Sequence, residues 1–538
     1  LIALIVTIIV LIILSTVAIS TLTGKQGLIA NAQAAVNASN IAVAKEKIDL
    51  AILNLYVAND GDVTIEEIIE ELESEDIILA GNSDAGTGQI KTKEGYVFRI
   101  AEVGESYEVS YIGNGAIQTS PIVTATSGTV AILERTNKAI SDYFSYNENG
   151  EGQISTVEYI DISNSNTAVE NIKDLSIGTH RIKCVVTKSS GATANITKEI
   201  IVGKVNEPET VSGMIPVYYD EGNWKVADTT NATESQAWYN YAEKKWANVV
   251  TVESTNLSKY TSADVGTTVT ASEITTMFVW IPRYAYTITS GYGQGGANVS
   301  GTIAVEFLQG TTNKEISGAN TSYIVHPVFK DGSTNSYAEG GWDSELTGFW
   351  VAKFEASGVE NGKAVGNRKS DLYEVEQAPL QTTAVKVLPN VISWRDISTG
   401  NSQYYCMQMS SNTSTYGWSS GSVDSHLIKN DEWGAVAYLC YSPYGSVPRT
   451  NGCGLYISEG AKPGGGTTSW YYNLYTGQGP DSTTSERWYK TKTDNRAYNT
   501  DLGVLSSTTG NVYGVYDMAG GAWERTAAYL NNGNSYIG

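Results

Sequence analysis

The feature that most constrains this chain is its opening stretch, LIALIVTIIVLIILSTVAISTL, which covers residues 1–22 and contains no charged side chain. The first charge along the chain is Lys25. As a helix, a run of this length reaches about 30 Å, which is enough to cross the hydrocarbon layer of a membrane. The segment must therefore be kept from water, either in a membrane or inside an assembly.

Three interpretations of residues 1–22 are open: a signal peptide, a simple membrane anchor, and a stalk that moves from the membrane into a filament core. The run is longer than the apolar region of about 7–15 residues that a signal peptide carries. After Gly24 and Gly27 a helical rhythm resumes, which favours the stalk because a simple anchor needs no amphipathic extension. The residues expected on its apolar face are Ile41, Ala44, Ile48, Ile52 and Leu55.

Residues 1–55 resemble the N-terminal segment of type IV pilins, especially those of Gram-positive bacteria, read from about the third residue of the family's mature chain. The resemblance implies storage in the inner membrane and then assembly into a helical homopolymer with these segments at its core. Ala3 stands where the family carries a glutamate that pairs with a neighbour's terminal amine, so close packing of apolar side chains must hold the core instead. The expected assembly residues are Leu1, Ile2, Ala3, Leu4, Ile5, Ile8, Ile9, Leu11, Ile12, Gly24 and Gly27.

Composition indicates a large acidic protein that faces the outside of a cell. The net charge of −22 would repel polyanions, so nucleic acid is excluded as a partner. The 34 Tyr, 12 Trp and 53 Gly among 538 residues predict short strands, polar turns and wettable aromatic surface. Four cysteines without a CxxC motif argue against a zinc ribbon or a dithiol redox centre.

The pattern along the chain predicts an α+β multidomain protein that begins with a long N-terminal hydrophobic α-helix. The expected domains are a pilin-type hydrophobic and amphipathic helix over 1–58, a small α/β pilin-like head over 59–115, an immunoglobulin-like β-sandwich spacer over 116–205, and a large domain over 206–538 with its core at 276–538. In the head, Thr64 and Glu67 have the spacing of a helix capping box. In the spacer, Cys184 is expected to be a buried small hydrophobe and His180 a residue on the strand surface.

The large domain contains a series of distinctive stretches, GFWVAKFEAS, LIKNDEWGAVAYL and NVYGVYDMAGGAWER. Taken in this order they resemble the formylglycine-generating-enzyme family, whose fold is a variant of the C-type lectin fold. That family oxidises a substrate cysteine with a copper-loaded pair of cysteines downstream of the last stretch. Only TAAYLNNGNSYIG follows Arg525 here, so we expect no enzyme activity, and we expect that the family's terminal strands lie beyond Gly538.

The remaining cysteines and histidines give weaker signals. Cys440 and Cys453 flank YSPYGSVPRTNG and are candidates for a disulfide, although Cys406 is an equal candidate as a partner. His326 and His426 lack metal-ligand spacing and are expected to be structural.

Calcium is the one cofactor for which the sequence offers a site. By resemblance to the same family, Gly520, Ala522 and Glu524 are candidate calcium ligands, since calcium prefers carbonyl and carboxylate oxygens in a bent loop. The alternative is that Glu524 only caps the turn while Trp523 packs in the core.

These observations predict a structural subunit of an extracellular, type IV pilus-like filament. Before assembly it is expected in the membrane, and afterwards its large domain is displayed for adhesion to a glycan or protein ligand. Aromatic loops such as TSTYGWSSGSVD are expected either to supply the contact surface or to be stable polar loops on a crowded filament surface. The alternatives are a membrane-tethered oxidase related to the formylglycine-generating enzymes and a monomeric anchored receptor.

Overall fold

A computed structural model describes most of the chain. The described residues are 7–8, 10–15, 28–59, 61–104, 106–149, 152–290, 302–313, 323–331, 342–360, 363–365, 384–394, 397, 399–446, 475–479, 493–518 and 525–527. They divide into two compact units. Unit 1 comprises residues 1–128, 139–170 and 180–199, and unit 2 comprises 129–138, 171–179 and 200–538.

Unit 1 begins, within the described residues, with helical residues 7–8 and 10–15. Two longer helices follow, α1 (Leu28–Ala58) and α2 (Ile65–Ser74). Its strands are β1 (Ile78–Asp84), β2 (Gln89–Thr92), β3 (Tyr96–Val103), β4 (Ser106–Asn114), β5 (Ile122–Ala125), β7 (Phe144–Asn147), β8 (Ile154–Asp161) and β9 (Thr167–Ala168). Strands β10 (Gly178–Lys188) and β11 (Thr193–Gly203) each have residues in both units.

Helices α1 and α2 share a core with the antiparallel sheet β1-β2-β3-β4. The predicted apolar face of α1 is confirmed, because Ala44, Ile48 and Ile52 are buried in this core. The predicted capping box is also confirmed: the Thr64 N–H donates to Glu67 Oε2 at 2.8 Å, and the Glu67 N–H donates to Thr64 Oγ1 at 3.3 Å.

The second part of unit 1 is an antiparallel arrangement in which β10 pairs with β8, and β8 with β9. Cys184 lies in β10 and is fully buried, as expected for a small hydrophobe. The expectation for His180 is wrong, because its ring is buried and its Nδ1 lies 2.6 Å from Asp161 Oδ2. The strand alternation in β10 places this polar side chain on the inner face, where the carboxylate satisfies it.

Unit 2 contains most of the remaining elements. Its strands are β6 (Val130–Leu133), β12 (Ile215–Asp220), β13 (Asn223–Val226), β14 (Asn248–Val252), β15 (Ile274–Pro282), β16 (Tyr284–Ser290), β17 (Thr302–Phe307), β18 (Ile324–Val325), β19 (Gly348–Ala352), β20 (Gly358–Glu360) and β21 (Lys363–Val365). Its helices are α3 (Ser254–Thr261), α4 (Thr399–Gln408), α5 (Thr413–Tyr416) and α6 (Asn430–Cys440). A central sheet runs in the order β13-β12-β14-β15-β19.

Strand β15 organises unit 2 because it is buried along almost its whole length. A strand covered on both faces carries a nearly continuous apolar run instead of a strict alternation, and ITTMFVWIP has this character. Its partner β19 begins with Gly348, where an added Cβ would lie only 2.5 Å from Trp280 Cε2. The absence of a side chain at Gly348 lets the Trp280 indole approach the backbone of β19 closely.

The expected fold class is wrong for the described residues. They are mainly β-strands in several separate sheets of two to five strands, and they contain no long hydrophobic helix like the one predicted at the N-terminus. The longest described helix, α1, carries the charged residues Lys45, Glu46, Lys47 and Asp49, which explains why it is not an apolar rod. This correction includes the immunoglobulin-like and C-type-lectin-like domains, which were part of the expected fold class.

Among the described residues, none of the helices combines the length and the apolarity that are needed to cross a bilayer.

Candidate functional site

A cavity of about 710 Å³ in unit 2 is the principal candidate site. We call it the tryptophan cavity because six of the twelve tryptophans of the chain line it. They come from strands β15 and β19, from helix α6 and from the connecting segments. They are Trp280, Trp342, Trp350, Trp394, Trp418 and Trp433.

The strands position part of this wall through their side-chain alternation. Phe278 and Trp280 lie two residues apart on β15, so they project from the same face of the sheet. Trp280 and Trp350 occupy paired positions of β15 and β19, and their rings are in contact at a tilt of 58°, with centroids 5.2 Å apart. Cross-strand aromatic pairs of this kind stiffen the surface that carries them.

Some of the indole N–H groups in the wall are satisfied within the chain. Trp350 Nε1 donates to the Glu209 carbonyl at 2.6 Å, and Trp418 Nε1 donates to the Met409 carbonyl at 2.9 Å. Trp418 is only 3% exposed, so the expectation that its loop TSTYGWSSGSVD presents this aromatic ring at the surface is wrong.

Three other polar atoms of cavity-lining residues are buried without a hydrogen-bond partner in the described part of the chain. They are Trp280 Nε1, Trp342 Nε1 and Ser393 Oγ. Ser393 is 1% exposed and Trp280 is 2% exposed. A buried donor left unpaired costs about 1–3 kcal/mol, and native structures contain few of them. All three belong to residues that line the same cavity, which makes the tryptophan cavity the candidate ligand site of unit 2.

An ionic cluster forms another part of the cavity wall. His426 Nε2 lies 3.0 Å from Glu432 Oε1, and His426 Nδ1 lies 3.5 Å from Asp424 Oδ1. The other Glu432 oxygen accepts the Lys429 N–H at 2.6 Å at the start of α6, which fixes the carboxylate in place. The Lys429 ammonium lies 3.5 Å from the centroid of the Trp342 ring, a cation–π contact.

The protonation of His426 is set by two opposing effects. Burial lowers its pKa. The hydrogen bond and charge of Glu432, together with the charge of Asp424, raise the pKa by more than burial lowers it, so the pKa lies above 6.5. His426 therefore carries a positive charge more readily than a free histidine does, and it offsets part of the negative charge of the cavity wall.

Cys406 also lines the tryptophan cavity, and it is a free thiol. Burial raises the pKa of this thiol to about 11, so it is protonated at neutral pH. A protonated thiol is a weak nucleophile and a weak metal ligand. Its contribution to the wall is therefore that of a small apolar side chain.

A second candidate site is the exposed side of helix α1. We call it the assembly face, and it consists of large apolar side chains of which half or more is exposed. They are Val36, Val43, Leu50, Leu53 and Val57, with exposures of 60, 50, 52, 56 and 75%. Four of them recur every seven residues, and all five lie roughly opposite the face that packs on the sheet.

The structure tests only some of the predicted site residues. Among the expected assembly residues, Ile8, Leu11 and Ile12 are exposed, with exposures of 48, 61 and 57%. The others lie outside the described residues: Leu1, Ile2, Ala3, Leu4, Ile5, Ile9, Gly24 and Gly27.

The predicted calcium ligands Gly520, Ala522 and Glu524 also lie outside the described residues. Within the part of the chain that the structure describes, no group of three or more His, Cys, Asp or Glu side chains is arranged to hold a metal. For the predicted disulfide, Cys440 is buried in α6, whereas Cys453 lies outside the described residues. His326 is buried, and its Nδ1 accepts the Val328 N–H at 3.3 Å, which fits the predicted structural role.

Comparisons with known proteins add no family to this description: no protein-family model matches the chain, and no curated protein matches it significantly.

Proposed function

We propose that this protein is a subunit of an extracellular, type IV pilus-like filament that assembles through the assembly face of α1 and displays unit 2 for ligand binding. The observation that carries the proposal is the apolar character of α1 on two opposite sides. One side is buried against the sheet of unit 1, while the assembly face is exposed. A contiguous set of exposed large apolar side chains is typical of an interaction surface, so the assembly face calls for a partner.

The spacing of the assembly face favours another copy of the same helix as that partner. Val36, Val43, Leu50 and Val57 recur every seven residues, so together with Leu53 they form one apolar stripe along α1, and the same stripe on a second copy is a matching surface. Earlier in the chain, the described residues Ile8, Leu11 and Ile12 are also exposed, with exposures of 48, 61 and 57%.

The energy of this contact suits a polymer better than an isolated dimer. Burying the exposed half of five such side chains stabilises a contact by about 1 kcal/mol each, or about 5 kcal/mol per helix. Association itself costs about 4–15 kcal/mol in lost motion, so one pair of helices alone is marginal. In a filament, other exposed apolar side chains such as Ile8, Leu11 and Ile12 add to this gain. The net charge of −22 keeps the displayed parts soluble.

The test compares two leucines of almost equal exposure in unit 1. Leu50 on the assembly face is 52% exposed, and Leu79 on β1 is 51% exposed. We expect Leu50→Glu to reduce the assembly of the full chain, as seen by sedimentation velocity and electron microscopy. Glutamate is a good helix former, so α1 itself should persist in this variant.

Leu79→Glu is the matched control and should assemble like the wild type. Equal assembly of all three proteins, or equal loss in both variants, contradicts the proposal. Wild-type protein that stays monomeric in detergent-free buffer favours the monomeric receptor instead.

A further inference from the structure

We infer that the tryptophan cavity binds a neutral saccharide of one or two rings. This inference rests on the proposed function only in that unit 2 is the part displayed for ligand binding. The cavity volume of about 710 Å³ lies within the range of about 300–1,000 Å³ that is usual for small-molecule sites.

The flat indole walls set the shape of the ligand. Trp280 and Trp418 are almost fully buried, but four of the six tryptophans are partly exposed and offer rigid apolar surface at little cost in side-chain entropy; they are Trp342, Trp350, Trp394 and Trp433. A flat ring with an apolar C–H face covers such a surface, and a pyranose has this face. An extended acyl chain would pack against the same walls, but it would form no hydrogen bond with the polar groups among them.

Charge excludes anionic ligands. The lining contains four carboxylates, Glu209, Glu355, Asp424 and Glu432, and two basic side chains, His426 and Arg525. Thr347 donates to Glu209, and His426 is already engaged by Asp424 and Glu432. An added negative charge therefore finds little compensation, whereas a neutral ligand avoids this repulsion.

The polar atoms require a ligand that both accepts and donates hydrogen bonds. Trp280 Nε1 and Trp342 Nε1 can only donate, and they have no partner in the described chain. The carboxylate oxygens of the lining can only accept, and the Asp424 side chain is 77% exposed. A hydrocarbon satisfies neither set, and a simple carbonyl compound satisfies only the donors. Hydroxyl groups around a ring satisfy both sets, and Ser393 Oγ can join either role.

The test uses the full chain and defined probes: glucose, galactose, N-acetylglucosamine, cellobiose and lactose as neutral sugars, sialic acid as an anionic sugar, and toluene as a hydrocarbon. Because six tryptophans line the cavity, binding should change the intrinsic tryptophan fluorescence, and calorimetry then gives the affinity. We expect at least one neutral sugar to bind more tightly than both sialic acid and toluene. Binding of toluene alone, equal binding of sialic acid, or no binding by any neutral sugar overturns the inference.

Two variants locate the binding. Ser393→Ala should weaken it by about 3- to 10-fold, the effect of one lost hydrogen bond. Ser506→Ala is the matched control, because Ser506 is equally buried but its hydroxyl donates to Gly503 outside the cavity. Trp342→Phe keeps a ring but removes one N–H, and it should also weaken binding. Unchanged affinity in both Ser393→Ala and Trp342→Phe places the sugar elsewhere and refutes the assignment.

The same titration with the Leu50→Glu variant separates this inference from the proposed function. Sugar binding that persists in a non-assembling variant supports the cavity as an independent site. Assembly that persists when no sugar binds refutes the cavity assignment alone.

Discussion

Arg283 provides a stringent test of how unit 2 is held together. Its side chain is fully buried, and its guanidinium reaches several segments at once. Nη1 donates to the carbonyls of Phe329 and Leu346 at 2.7 and 3.0 Å, and Nε donates to the Thr312 carbonyl at 3.2 Å. Nη2 lies 2.6 Å from Glu345 Oε2. One side chain therefore ties together the segments that lead into β19 and the wall of the tryptophan cavity.

We expect Arg283→Lys to lower the free energy of unfolding of unit 2 by about 3–5 kcal/mol. Lysine keeps the charge but replaces a planar fork of donors with a single ammonium. It cannot reach all of these acceptors, so buried carbonyls and the Glu345 carboxylate lose partners at about 1–3 kcal/mol each. Breaking a buried ion pair costs a similar total.

Hydrogen exchange with mass spectrometry measures this loss, because it reports the opening of β15, β16 and β19 separately from that of unit 1. Arg99→Lys is the control, since Arg99 is exposed on β3 of unit 1 and a change there should stay within about 0.5 kcal/mol. A change below about 1 kcal/mol for Arg283→Lys refutes the reasoning that Arg283 joins these segments.

Two further predictions concern pH. Because Glu432 and Asp424 raise the pKa of His426 above 6.5, this histidine stabilises the fold below pH 6.5, and its contribution is lost as the pH rises through the folded pKa. Glu432→Gln should lower the pKa of His426, which NMR titration of the ring protons measures. An unchanged pKa contradicts the assignment. Burial raises the pKa of Asp161, but hydrogen bonds from Ser163 and His180 outweigh this and hold it below 3.8. Its contribution to stability is therefore present above pH 3.8 and is lost as the pH falls through the folded pKa, and Asp161→Asn should flatten this acid loss in thermal melts of unit 1.

Local features of unit 1 could be predicted from the sequence because they depend on short-range rules. The capping box of Thr64 and Glu67 needs only a spacing of three residues, and the buried face of α1 needs only a helical period. The paired state of His180 could not be predicted, because its partner Asp161 lies on another strand and the register of that pairing is a property of the sheet.

The tryptophan cavity escaped sequence analysis for a similar reason. Its lining is drawn from Glu209 to Arg525, so no local motif marks it. The one usable signal is the high tryptophan content, 12 residues, from which the sequence analysis predicts exposed aromatic loops instead of a cavity wall. The fold class failed because the uncharged opening stretch dominated the prediction, whereas the described residues owe their architecture to many short strands that pair over long distances.

The claim that α1 joins copies of this chain can be tested most directly by photo-crosslinking from position 50. A benzophenone-bearing residue replaces Leu50 in full-length chains, which are mixed with isotope-labelled chains so that mass spectrometry distinguishes crosslinks between copies from those within one. The account predicts crosslinks between copies that map to residues 28–58 of the second chain. Crosslinks that occur only within one chain, or that map to unit 2 of the neighbour, would contradict it.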